Sequence, residues 1–414
     1  MSYQFAARRI SLVTAFLLAM TCCNLVLLHK LLPALRNGYQ DFTIYYTAGR
    51  LLAEGRAADL YNLRVQYETQ LPFAHVPIRQ AALPYNHPPF EAVLFAPFAR
   101  LAYWLAYLLW SAINVIMLGA SALLLRRLPK IRELPPVMLG LACLAFFPVA
   151  IGLIQGQDII FLLLMLALGL TNLERGSDVR AGAWLAGGLI RPHMIVPLVL
   201  MLALRRWRVL IGFVAVALAL GGITVLIMGW GGPLAYVNFV LHVEKIGAGG
   251  FGPQAVPNLR GLVDDLPGIH VPNLHEWTAN PVRPGVPSVI ATVLIAVSSL
   301  VVLGLAVRRI GRGNDSTSYL FSLGVVTTIL ISFHALLYDL TMLLPLTLFM
   351  LAAFVGEKAG ETGRERAVLL LFLFCAPLYM YLQLDVDRFY RFVLILLWLF
   401  WRLLRMPPPV AEPA

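Results

Sequence analysis

Carboxylates, histidines, arginines and amides recur in five short stretches of an otherwise apolar chain. These are Asp41-Phe42-Thr43-Ile44-Tyr45-Tyr46, Asn86-His87-Pro88-Pro89, Gln155-Gly156-Gln157-Asp158, Arg191-Pro192-His193, and Ser332-Phe333-His334 followed by Tyr338-Asp339. A carboxylate beside a hydroxyl can accept its proton. Arginine and histidine donors can hold an anion, phosphate above all. Each residue also has a plainer reading. Asp41 suits the N-cap of a following helix. Arg191 and His193 could satisfy the backbone of a broken helix, His334 could cap a span, and Gln157 could serve backbone between two spans. Tyr45 and Tyr46 could be interfacial anchors. The glycine-rich run Gly247-Ala248-Gly249-Gly250-Phe251-Gly252 lacks the Gly-Lys-Ser/Thr of a P-loop and reads as a flexible cover. No metal-ligand spacing appears, and Cys22, Cys23, Cys143 and Cys375 all lie in apolar segments.

The elements that must position these residues are membrane helices. Of 414 residues, 60% are hydrophobic and only 13% charged, against about 25% charged in a soluble domain. Mean hydropathy is +0.79. An ordinary cytosolic enzyme, a disordered chain and a disulfide-rich secreted module are excluded. The apolar runs are continuous rather than alternating, which excludes a β-barrel. Hydropathy predicts about ten spans, at 10–29, 102–125, 134–152, 157–173, 209–228, 286–307, 319–334, 340–355, 367–384 and 389–404. A lipoprotein signal ending at Cys22 is the competing reading of the first. Thr21 before that cysteine fits it poorly, and a retained first helix is expected.

Segment 181–204 carries Arg191-Pro192-His193 at its middle. Proline breaks the helix and charge at mid-bilayer is costly. Two half-helices that enter and leave from one side are therefore expected. With the N-terminus in the cytoplasm, this choice puts Arg126–Arg132, Arg205–Arg208 and Arg308-Arg309 on the cytoplasmic side, which then holds the formal excess of +11. The basic balance is thus a topology signal, and no nucleic-acid partner is expected. A single integral-membrane domain over 1–404 follows, with non-cytoplasmic loops at 30–100 and 229–285 and a short cytoplasmic tail at 405–414. Residues 42–53 have helical hydrophobic spacing and are expected to lie along the membrane surface. The polar stretches gather at span ends on one side. That suits a reaction site at the outer interface better than a transport path, which would place polar groups at the midplane.

At these residues the chain resembles glycosyltransferase family 87, which includes polyprenol-phosphate-mannose-dependent mannosyltransferases of the GT-C superfamily. The motifs are Asp41-Phe42-x-x-Tyr45-x-x-Ala48-x-x-Leu51, Asn86-His87-Pro88-Pro89, Gly156-Gln157, Arg191-Pro192 and His334-x-x-x-Tyr338-Asp339. Arg191 stands where the family pattern leads one to expect Lys. The resemblance implies an all-α polytopic GT-C-like fold in a bacterial plasma membrane, and the charge distribution puts both termini in the cytoplasm. It also implies inverting transfer of a sugar, mannose by analogy alone, from a polyprenyl-phosphate donor to a lipid or glycan acceptor at the non-cytoplasmic face. Asp41 would be the general base. Arg191, His193, His334 and Arg260 would hold the donor phosphate. Tyr45, Tyr46, Asn86, His87, Gln157, Asn258 and Asp339 would contact sugar or acceptor. No cofactor and no metal is expected, because no nucleotide diphosphate departs. Two other classes remain open: a flippase or transporter of lipid-linked sugar, and an inner-membrane polysaccharide polymerase using a diphosphate-linked donor.

Overall fold

The computed structural model describes residues 2–38, 40–74, 83–245, 255–264, 289–312, 316–356 and 361–406. The chain is all-helical, with no strand among the described residues. The helices run α1 (Ser2–Arg36), α2 (Phe42–Ala53), α3 (Leu63–Gln70), α4 (Pro89–Phe95), α5 (Tyr103–Leu125), α6 (Pro129–Arg132), α7 (Pro136–Ala145), α8 (Phe147–Gln155), α9 (Ile159–Glu174) and α10 (Asp178–Ala186). They continue with α11 (Pro192–Ala203), α12 (Arg208–Met228), α13 (Gly232–Lys245), α14 (Leu259–Asp264), α15 (Val289–Arg312), α16 (Thr317–Ile331), α17 (Leu344–Gly356), α18 (Glu361–Phe374), α19 (Ala376–Met380) and α20 (Val393–Arg405). The glycine-rich run at 247–252 lies outside the described residues.

Among the described residues, five helical stretches are long and apolar enough to cross a bilayer, or seven if each of two bent pairs is one span. The sequence predicts about ten. The difference lies in three shorter helices, α9, α16 and the 13-residue α20. Helix α9 has 16 residues and α16 has 15, fewer than the ~20 needed to cross ~30 Å of hydrocarbon. Both are packed inside the protein, with buried residues around most of their circumference. Enclosed by other helices, they need not match the bilayer. The outer helices show the opposite pattern: Leu12, Leu25, Ile116, Leu218, Leu226 and Leu300 point outward. Such an apolar exterior is stable against lipid and not against water.

Both bent pairs follow from proline, and in both a side chain repairs the break. Pro148 cannot donate to the Leu144 carbonyl, and α7 meets α8 at 63°. Buried Asn24 of α1 donates Nδ2 to the Leu144 and Ala145 carbonyls at 2.9 and 3.3 Å. Pro377 likewise frees the Leu373 carbonyl, which accepts from the Tyr379 hydroxyl at 3.0 Å. In a bilayer, which offers no water to these groups, such repair is what makes a bend tolerable.

Helices α10 and α12 cross at two facing glycines. A Cβ on Gly182 would run into the Val209 carbonyl, and one on Gly212 into the Val179 carbonyl. Gly182→Ala is expected to force the pair apart and cost about 1–3 kcal/mol, read as a lowered unfolding temperature in detergent. Gly221→Ala on the same α12, with open space around it, is expected to leave that temperature nearly unchanged.

Helix α2 forms as its spacing predicts, and protein rather than lipid or solvent covers most of it. Phe42 to Gly49 and Leu51 are all buried. The reason is that its first two turns have no charged face. Thr43 bonds the Gly38 carbonyl at 3.1 Å and the Tyr103 hydroxyl at 2.7 Å, and Thr47 bonds the Thr43 carbonyl at 2.6 Å. Gly49 lets α2 press against the backbone at Phe95.

Candidate active site

The polar stretches meet at one end of this bundle. Helix α8 ends at Gly156, which takes a left-handed conformation (φ 62°, ψ 35°). The Gly156 amide donates to the Leu153 carbonyl, and the Gln157 amide to the Gly152 carbonyl at 2.9 Å. A side chain at Gly156 would also meet Phe42 Cβ at 2.9 Å. From α5, Trp110 Nε1 donates to the Gly156 carbonyl at 2.8 Å and Asn114 Nδ2 to the Gln157 carbonyl at 3.3 Å. The turn is thereby clamped, and the side chains of Gln157 and Asp158 are aimed at α2 and Arg191.

Gln157 is the junction. Its Nε2 donates to Asp41 Oδ2 at 2.7 Å. Its Oε1 accepts from the Tyr45 hydroxyl at 2.6 Å and from Arg191 Nη2 at 2.7 Å. Two donors on the oxygen fix the sense of the amide. Asp41 occupies the N-cap position of α2, yet its side chain makes no capping bond. Its backbone amide donates to Gln155 Oε1 at 3.0 Å.

Arg191 sits where α11 begins, after a 3₁₀ turn over Gly187–Ile190. Its Nε and Nη2 donate to Asp158 Oδ1 at 3.1 and 2.5 Å, its Nη1 to Asp339 Oδ1 at 2.8 Å, and its second Nη2 hydrogen to Gln157. Four of five guanidinium hydrogens are therefore engaged. The Tyr338 ring lies 5.2 Å from the guanidinium carbon. Asp339 turns its other oxygen to the Leu336 amide at 2.7 Å. This binds the 3₁₀ segment Leu337–Leu343 to Arg191.

Asp41, Gln157, Arg191 and Tyr338 border a cavity of about 180 Å³. Its lining includes the polar residues Asp41, Asn86, His87, Gln157, Arg191, His193 and His334. It also includes the apolar residues Ile44, Leu83, Ile190, Val240, Val243 and Phe333, and the tyrosines Tyr236 and Tyr338. His193 and His334 stand edge to face with ring centroids 6.2 Å apart, and His193 Nε2 is buried without a hydrogen-bond partner.

Five of the residues singled out by sequence do not border the cavity. Tyr45 stands behind Gln157, stacked on Phe95 at 4.7 Å, and braces the amide rather than offering a ring face. Tyr46 donates to the Leu101 carbonyl and packs edge-on against Phe73 and Tyr103. Asn258 caps α14 through the Arg260 and Gly261 amides and donates to the Ser332 carbonyl. Arg260 donates to the Phe333 carbonyl at 2.9 Å, its guanidinium 4.0 Å from that ring. Asp339 serves Arg191. Sequence reasoning passed over Glu91, which reads as an ordinary acidic residue in the first turn of α4. It is fully buried, 2.8 Å from His87 Nδ1. The only sequence signal is the four-residue spacing of His87 and Glu91 beside a proline pair. Burial, reinforced by the charge of Asp158, raises the Glu91 carboxyl well above its usual range. Burial also lowers His87 to about 4.

The fold and site together define a polytopic helical membrane protein with a buried charged cleft of mixed polar and apolar lining. The chain belongs to glycosyltransferase family 87, whose model matches residues 85–333. That match takes in Asn86, His87, Gln157, Arg191, His193, Asn258 and Arg260. Asp41, Tyr45, Tyr46, His334 and Asp339 lie outside it. No curated protein and no solved structure matches the chain. Family membership supports a membrane glycosyltransferase, acting on a sugar donor and an acceptor within the membrane.

Proposed function

We propose that the protein transfers a sugar from a polyprenyl-phosphate donor to a lipid or glycan hydroxyl at the non-cytoplasmic face, with inversion at the anomeric carbon. The observation that carries this reading is the cleft itself, where a carboxylate and a guanidinium face one cavity, coupled through Gln157. Asp41 accepts the proton of the acceptor hydroxyl. The acceptor oxygen bonds to the anomeric carbon as the bond from that carbon to the phosphate oxygen breaks. The leaving polyprenyl phosphate gains charge, which the remaining Arg191 Nη1 hydrogen and the imidazoles of His193 and His334 stabilise. Apolar lining residues such as Ile190, Val240 and Val243 suit the first isoprene units of the carrier. An acceptor hydroxyl enters from Asn86 and His87. The gathering of basic residues on the opposite side supports the non-cytoplasmic face for this cleft.

The test supplies the purified protein in nanodiscs, with no transbilayer gradient, with either a polyprenyl monophosphate mannose or a polyprenyl diphosphate oligosaccharide. Transfer from the monophosphate with inverted configuration is the expected result. Transfer from the diphosphate alone would instead make the protein a polymerase. Movement of the lipid without a new glycosidic bond would make it a flippase.

A further inference from the structure

Behind the cleft, His87, Glu91 and Asp158 bring one ligand atom each to within 4.8 Å of one another. His87 Nδ1 lies 2.8 Å from Glu91 Oε2 and 3.5 Å from Asp158 Oδ2. Such separations are those of neighbouring donors around one small cation with bonds of about 2.0–2.2 Å. All three side chains are buried, Glu91 completely. The second observation is what these atoms lack. With both acids ionised, the Glu91 oxygens, Asp158 Oδ2 and His87 Nδ1 have no hydrogen-bond partner; only a proton held between Glu91 and Asp158 would bond the two carboxyls. Asp158 is instructive, because its Oδ1 is fully engaged by Arg191 and Tyr45 while Oδ2 turns away toward His87. Charge points the same way. Glu91, Asp158 and Asp339 are all buried, and Arg191 pairs with the last two. A buried carboxylate without donors costs several kcal/mol unless a cation or a proton meets it.

We propose that His87, Glu91 and Asp158 form a binding site for one divalent cation of the kind that accepts mixed imidazole and carboxylate ligands, such as Mn²⁺ or Zn²⁺. The ion ties the loop before α4 to the turn between α8 and α9. It holds Asp158, and through Asp158 it holds Arg191. It is a positioning ion and takes no part in bond breaking. Its ligands reach the cavity through His87, which gives it a path of entry.

The test uses the full chain in nanodiscs, stripped with a chelator and titrated with Mn²⁺ under electron paramagnetic resonance. One saturable Mn²⁺ per chain, displaced by Zn²⁺, is expected. Bound Mn²⁺ should show the nitrogen coupling of a single imidazole in the echo modulation. Glu91→Gln keeps the volume and removes the charge. It is expected to weaken Mn²⁺ binding by at least ten-fold, while Glu54→Gln at an exposed ion pair leaves binding unchanged. Absence of saturable binding would show that a shared proton alone satisfies the cluster and would overturn the proposal. So would bound Mn²⁺ without nitrogen coupling, a result that needs no variant to fold. Mn²⁺ binding is read without sugar transfer, so the outcome does not depend on the proposed reaction.

Discussion

Asp41→Asn yields a protein that folds normally and transfers sugar about 10²–10⁴-fold more slowly, the usual cost of losing a general base. The substitution separates two roles because asparagine caps a helix about as well as aspartate. The geometry sharpens the test further: Asp41 makes no capping bond, and its carboxylate accepts from Gln157 Nε2 instead. An asparagine carbonyl can accept that same bond, so unfolding temperature and donor binding should stay near the native values. Only the basic oxygen is lost. The measurement is turnover at saturating donor alongside donor binding by the same preparation. Near-native turnover would move the base elsewhere, and few places remain. Glu54 is engaged by Arg50 and Arg56 on an exposed surface, and Asp158 and Asp339 are engaged by Arg191.

Arg191→Ala is expected to lose both folding and turnover. It leaves Asp158 and Asp339 buried without the guanidinium they pair with, at a cost of about 3–5 kcal/mol. Lost activity in that variant would therefore say nothing about the donor phosphate. The decisive variant is Arg191→Met combined with Asp158→Asn and Asp339→Asn, which removes the charges together. Replacing a whole buried ion cluster by neutral groups is often tolerated. Thermal unfolding should return toward the native midpoint, while donor use at limiting concentration remains at least ten-fold below native. Native donor use in the folded triple variant would reduce Arg191 to a structural tie and shift phosphate binding to His193 and His334.

Much of this cleft was legible before any coordinates. Asp41, Asn86, His87, Gln157, Arg191, His193 and His334 are scattered over nearly three hundred positions, yet they border one cavity. They could be found because a polar group in an apolar chain is conspicuous, and because proline and glycine mark where the backbone turns. What stayed hidden depends on partners. Nothing in the sequence says that Tyr46 would point at Leu101, that Arg260 would fold onto Phe333, or that Asp339 would answer Arg191. Glu91 was invisible because an acidic residue in a first helical turn is ordinary, and only its burial makes it otherwise. The interior position of α2 was missed for a related reason. Its spacing reports a helix, but whether lipid or protein covers the helix is decided by α4 and α5. The span count depended on whether a short apolar helix is enclosed, which hydropathy does not register.

The bonds that close the cleft have a consequence for the order of synthesis. Gln157 reaches back 116 residues to Asp41, and Arg191 waits 148 residues for Asp339. When α11 first enters the membrane, Asp158 is already made, but the second carboxylate is not. Through the making of α12 to α16 the nascent chain carries a half-answered guanidinium in an apolar surrounding. Contacts this distant in sequence form late, and incomplete membrane helices with unsatisfied charge are the species that misassemble. The cleft is thus completed only once residues 337–343 are in place, and a chain stopped short of them should be handed to quality control as unfinished.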